Sequence, residues 1–201
     1  MPRQSSRQEI LEVAIGLFAD AGYAGVSMRD IARFCGLNVG SIYHHFRDKD
    51  ELYLAAMQQA FSGRAERLLA VLNSDRPDRR RLLDTVDLLC RQLAEDQTFC
   101  RLIQRELLDG DERRLQQLAQ TVFAEVTEAL NRLCARLSPG HDPALLAGSI
   151  IGMTLHLFQS APLRRFLPGY RPEHDDPETL SRHLQAMLER GPIFTEEVER
   201  P

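Results

Sequence analysis

The chain has 201 residues, 43% of them hydrophobic and 27% charged, enough to bury a core without disulfides or a metal. This composition excludes a disordered acidic chain and a collagen-like repeat, and no apolar run reaches the length of a membrane span. The net charge of −4 argues against a uniformly basic nucleic-acid binder, yet residues 1–49 hold six basic against five acidic side chains, among them Lys49, the sole lysine.

No apolar signal core follows the N-terminus, so a soluble cytoplasmic protein with no membrane partner is expected. Cys35, Cys90, Cys100 and Cys134 form no Cys-x-x-Cys pair and no zinc spacing with histidine; they read as small buried apolar residues. No metal and no cofactor is implied.

Long proline-free stretches rich in Leu, Ala, Arg, Glu and Gln, without β-branched alternation, make the chain all-α. The first helix starts at Ser5 or Ser6, carries an apolar stripe of Ile10, Val13, Ala14, Leu17, Phe18 and Ala21, and ends at Gly22. Ser27 caps a short second helix, with Asp30 in its first turn and Ile31, Ala32 and Phe34 turned inward. A tight turn at Gly36 leads to a third helix from about Asn38 to Phe46. Asp48 caps a longer fourth helix through Leu52, Ala55, Ala56, Leu68, Leu69 and Leu72, with a bend near Ser62-Gly63. Further helices are expected near 79–96, 98–109, 112–137, 142–159 and 177–190. A loop over Ala161 to Pro177 and a frayed tail from Gly191 complete the chain.

Two short helices joined at a glycine make a helix-turn-helix candidate. A helix that enters a DNA major groove, about 12 Å wide, needs small or polar residues outside and apolar ones inside. Asn38, Gly40, Ser41 and His44 supply the outer face, Ile42 and Phe46 the inner one. Free N–H groups at the helix start favour phosphate. His44 and His45 point about 100° apart and make a poor metal pair.

Three segments are similar to the N-terminal domain of the TetR family. They are Gly22-Tyr23-Ala24-Gly25-Val26-Ser27-Met28-Arg29-Asp30-Ile31-Ala32, Gly36-Leu37-Asn38-Val39-Gly40-Ser41-Ile42-Tyr43-His44-His45-Phe46 and Lys49-Asp50-Glu51-Leu52. The resemblance implies a helix-turn-helix DNA-binding domain over 1–50 and a larger helical ligand-binding and dimerisation domain over 51–201. It implies a homodimer on a palindromic double-stranded operator, released when a small-molecule effector moves the fourth helix. By position, Ser27, Met28 and Arg29 fall where family members touch phosphate, Arg29 also within reach of a base. Val39, Gly40, Ser41 and His44 fall on the base-reading face, and Tyr43, His45 and Lys49 on phosphate positions. Met28 also reads as a packing residue, Tyr43 as a core aromatic, and Val39 as either a thymine-methyl contact or filler.

In the body, Ala144, Gly148 and Gly152 form a small-residue stripe, and Leu180, Leu184, Met187 and Leu188 lie at compatible spacing. The resemblance implies that these two helices pair with their symmetry mates; packing within one subunit is the other reading. Phe99, Ile103, Phe123, Met153, His156 and Phe158 are candidates to line an apolar pocket. Arg105-Glu106 reads as a solvated face, although a similar Leu-rich Arg-Glu stretch occurs in one TetR subgroup. No phosphate loop, nucleophile elbow or His-Glu-x-x-His occurs, so an enzyme is not expected. Besides a ligand-released repressor, an activator or an effector-independent DNA-binding protein of the same fold remains open.

Overall fold

The computed structural model describes residues 7–190 and is all-helical across them. The expected caps Ser5 and Ser6, and the tail from Gly191, lie outside the described residues. No described helix is long and apolar enough to cross a membrane. The helices are α1 (Arg7–Ala21), α2 (Met28–Cys35), α3 (Val39–His45), α4 (Lys49–Leu72), α5 (Asp78–Glu95), α6 (Thr98–Asp109) and α7 (Glu112–Leu118). A π-helical turn (Ala119–Phe123) follows, then α8 (Ala124–Leu137), α9 (Pro143–Gln159) and α10 (Ala161–Arg164). A 3₁₀ turn (Pro172–Asp175) precedes α11 (Pro177–Arg190).

The described residues form two compact units, one of 7–64 and 97–124, the other of 65–96 and 125–190. The first therefore holds more than the helix-turn-helix: α6, α7 and the π turn share it with α1–α3. Its core is Ile10, Leu11, Ala14 and Phe18 of α1, Ile31 of α2, Ile42 and Phe46 at α3, and Leu52, Met57 and Phe61 of α4. The α1 stripe sits slightly off the expected register, with Leu11 and Ala19 buried and Ala21 exposed. Phe34 departs further: it is 62% exposed, with the Arg33 guanidinium 5.4 Å from its ring centroid. Helical spacing explains this, because Met28, Ile31 and Ala32 define the buried face and residue 34 falls roughly 110° away from it.

In the second unit α5 packs against both α9 and α11, burying Leu82, Val86, Cys90 and Leu93. Leu180, Leu184 and Leu188 of α11 are buried within the subunit, which corrects their expected availability to a partner. An apolar stripe shows that a helix has a packing face but not which neighbour it meets. The segment expected as loop, Ala161 to Pro177, carries α10 and the 3₁₀ turn, tied together by Arg164. Its guanidinium donates to the carbonyls of Leu157 (2.6 Å) and His174 (2.9 Å) and to Asp175 (3.0 Å). Cys90, Cys100 and Cys134 are buried, and Cys35 is half-buried.

Candidate nucleic-acid interface

Local chemistry sets the helix-turn-helix. At the start of α2, Ser27 Oγ accepts from the Asp30 N–H (3.2 Å) while Asp30 accepts from the Ser27 N–H (3.0 Å) and hydroxyl (2.6 Å). This reciprocal cap satisfies donors that the first turn leaves open. The Ser27 hydrogen bonds hold the Asp30 carboxyl below its ordinary pKa. At the other end Gly36 takes φ 67°, and the Leu37 N–H donates to the Ala32 carbonyl at 2.8 Å. The left-handed residue turns the chain without a Cβ penalty. Asn38 then caps α3, its Oδ1 accepting from the Ser41 N–H (2.8 Å) and hydroxyl (3.1 Å). A Cβ at Gly40 would stand 3.1 Å from that same oxygen, so glycine leaves room for the cap. Gly25, which the sequence reading quoted but gave no role, matters as much: a Cβ there would collide with the Ala21 carbonyl.

With Ile42 and Phe46 anchored inside, the outer side of α3 presents Gly40, Tyr43, His44 and His45 to solvent, with Val39 and Ser41 half-exposed. Tyr43, at 51% exposure, is not a core aromatic. Ser27 and Arg29 are exposed, whereas Met28 is buried. Its side chain packs, and only its backbone is left for a phosphate. Asp48 caps α4 through the Glu51 N–H at 2.8 Å.

Lys49 is half-buried, its ammonium 4.0 Å from the Tyr23 ring centroid. Tyr23 also donates to Asp50, which pairs with Arg113. Its ring packs edge-on to Tyr53 at 5.2 Å, and Tyr53 packs edge-on to Phe18 at 4.9 Å. Behind them lies Glu106, 2% exposed. It accepts from the Tyr53 hydroxyl at 2.7 Å and from Arg114 Nε at 3.0 Å. The Arg114 carbon Cζ is 4.1 Å from the Tyr23 centroid. Burial and the bond to Asp50 push the Tyr23 phenol up to about 12. Arg105 donates to the carbonyl of Ala19 (2.8 Å) and to that of Asp20, capping the end of α1.

The expected solvated Arg105-Glu106 face is thus replaced by two buried or capping contacts. Both partners are remote in sequence, so only the pairing itself, inside a Leu-rich helix, signalled them. Nothing in the local sequence pattern marks Tyr53, Glu106 or Arg114 as one contact set.

Of the candidate pocket residues in the first unit, Phe99 and Phe123 meet, their centroids 6.4 Å apart. Phe61 joins them at 5.3 and 5.1 Å and was missed because it sits inside a long helix. Ile103 is half-buried, and Phe123 lies in the π turn. In the second unit Phe158 is buried, Met153 is half-buried, and His156 is exposed. His156 continues the exposed line of Ala144, Gly148 and Gly152 on α9.

Residues 10–56 match the family of bacterial regulatory proteins, tetR family. The chain is also 31% identical over 166 residues to the HTH-type transcriptional repressor Rv1474c of Mycobacterium tuberculosis, covering 70% of this chain and 87% of that one. The chain belongs to the TetR family.

As a TetR family member it is a DNA-binding transcriptional regulator and not an enzyme. Solved structures share its fold. AibR, in complex with isovaleryl coenzyme A and operator DNA, aligns with TM-score 0.70 at 23% identity over 90% of this chain and 96% of that one. FadR from Bacillus subtilis, in complex with stearoyl-CoA, aligns with TM-score 0.75 at 18% identity over 91% and 97%. In this TetR regulator the α2–turn–α3 unit is the helix-turn-helix, and the Tyr23–Tyr53–Glu106–Arg114 contacts tie the α1–α2 loop to α4, α6 and α7.

Proposed function

We propose that this TetR regulator is a ligand-responsive repressor: a homodimer on a palindromic operator, released by an amphipathic effector of the acyl-thioester class. The observation that carries the reading is the make-up of the first compact unit. The reading helices α2 and α3 share it with α6, α7 and the π turn that bears Phe123. A ligand that repacks the Phe61–Phe99–Phe123 cluster acts on the element that braces the head, with no long relay. π turns recur at functional sites, and an aromatic cluster of this kind suits contact with an acyl chain. AibR and FadR support the class as folds seen with acyl-CoA.

On the operator, Val39, Gly40, Ser41 and His44 face bases; Ser27, Arg29, Tyr43, His45 and Lys49 face phosphates. The dimer forms through the exposed α9 line of Ala144, Gly148, Gly152 and His156, with Leu145 on the same helix 73% exposed and Met187 on α11 49% exposed.

The test maps bound chromosomal fragments, then titrates the full-length protein on one of them with isovaleryl-CoA, stearoyl-CoA and the matching free acids. At least one thioester should lower affinity by 10- to 100-fold; the upper figure corresponds to about 2.7 kcal/mol of coupling, within the range typical of allostery. Specific binding that no thioester weakens would refute the acyl-effector reading.

A further inference from the structure

Tyr23 carries a cation at two points. The Lys49 ammonium lies 4.0 Å from its ring centroid and the Arg114 carbon Cζ 4.1 Å, both within the reach of cation–π attraction. The two cations are not equally held. Arg114 is anchored by buried Glu106 at 3.0 Å, with Asp109 and Asp111 at 3.6 and 3.4 Å, whereas Lys49 projects from the first turn of α4. The ring is tethered at its hydroxyl, which donates to Asp50, a carboxylate that Arg113 also holds.

We propose that Arg114 is a positioning residue for DNA binding: held by Glu106, it backs the Tyr23 ring and so sets where the Lys49 ammonium waits for a phosphate. The inference rests on Lys49 as a phosphate contact. Arg114 lies far along the chain from the reading helices and need not touch DNA. Three features favour this role. Tyr23 is fixed at its hydroxyl and stacked by a guanidinium that a buried carboxylate restrains. Lys49 is half-buried, so fewer rotamers are lost when a phosphate arrives. The two like charges, 4.0 and 4.1 Å from one ring centroid, also repel, which favours handing the ammonium to an anion. Consistent with this, burial, and then the charge of Arg114, hold Lys49 below the ordinary lysine pKa.

The test is a double-mutant cycle in the full-length protein, with operator affinity measured across a salt series. Lys49→Ala should weaken binding and make the salt dependence shallower by about one ion per head. Arg114→Gln should lower affinity by about fivefold, the scale of one cation–π contact, but by less than twofold in the Lys49→Ala background. Equal losses in both backgrounds would overturn the proposal, since a general loss of support does not depend on Lys49. If Lys49→Ala alone changes neither affinity nor slope, the phosphate contact itself is wrong, and the inference falls with it.

Because Lys49 is the sole lysine, ¹³C-labelled lysine gives one ε-carbon signal in the free protein. Its titration midpoint should lie below that of an ordinary lysine and rise in Arg114→Gln; an unchanged midpoint also overturns the proposal. If Arg114→Gln fails to fold, Glu106→Gln, which keeps the side-chain shape but loosens Arg114, should shift the midpoint in the same direction.

Discussion

Gly148→Leu combined with Gly152→Leu should convert the proposed dimer into folded monomers. No neighbouring atom outside the helix itself lies within 4 Å of where a Cβ would stand at either glycine, so a single subunit accommodates both leucines. Helix propensity even gains by about 1 kcal/mol for each glycine replaced. At a close crossing between two copies of α9 the balance reverses. Each added side chain costs about 1–3 kcal/mol of overpacking, and a two-fold interface presents every substitution twice. Sedimentation velocity at micromolar concentration should show a dimer for the wild type and a monomer for the variant, with helical circular dichroism retained. Operator affinity should fall by orders of magnitude, since one head holds half of the phosphate contacts. A variant that stays dimeric would show that the α9 line is not the interface.

Glu106→Ala should be the most destabilising single change in the first unit. Removing one partner of a buried ion pair costs about 3–5 kcal/mol, because the other is left uncompensated. Here the Tyr53 hydroxyl loses its acceptor, and Arg114, with its side chain 12% exposed, keeps only Asp109 and Asp111 at 3.6 and 3.4 Å. At about 2–4 °C per kcal/mol for a chain of this size, thermal unfolding should begin roughly 10 °C lower. Arg132→Ala is the control: its pair with Glu128 is 3.8 Å long and exposed on both sides, and its removal should shift the midpoint by no more than about 2 °C. Equal shifts for the two variants would mean that the Glu106 pair contributes no more than a surface one.

These two sites mark where the sequence was legible and where it was not. The boundaries of α2 and α3 follow from side chains acting within three or four residues: the Ser27–Asp30 cap, left-handed Gly36 and the Asn38 cap. Such chemistry is local, and the sequence states it directly. Phe34 lies outside because helical phase, set by Met28, Ile31 and Ala32, outranks its hydrophobicity. Leu180, Leu184 and Leu188 were rightly marked as a packing stripe, but α5 takes them up.

The bracing of the head was hidden for a different reason. Glu106 meets Tyr53 across 53 residues of chain, and Arg105 meets Ala19 across 86; no periodicity carries such pairings. The π turn was also unmarked, since Ala119 to Phe123 continues an ordinary helical pattern. The outward set on α3, by contrast, was visible because the same short helix had to show an apolar face inward.

The central claim is that α3 of each subunit reads one half of a symmetric site. Hydroxyl-radical footprinting of the full-length protein on a mapped operator tests it most directly. Two protected patches should appear, related by a dyad and about one helical turn of DNA apart, and both should vanish with the Gly148→Leu, Gly152→Leu variant at the same concentration. A single unsymmetric patch, or uniform protection along any fragment, would contradict it.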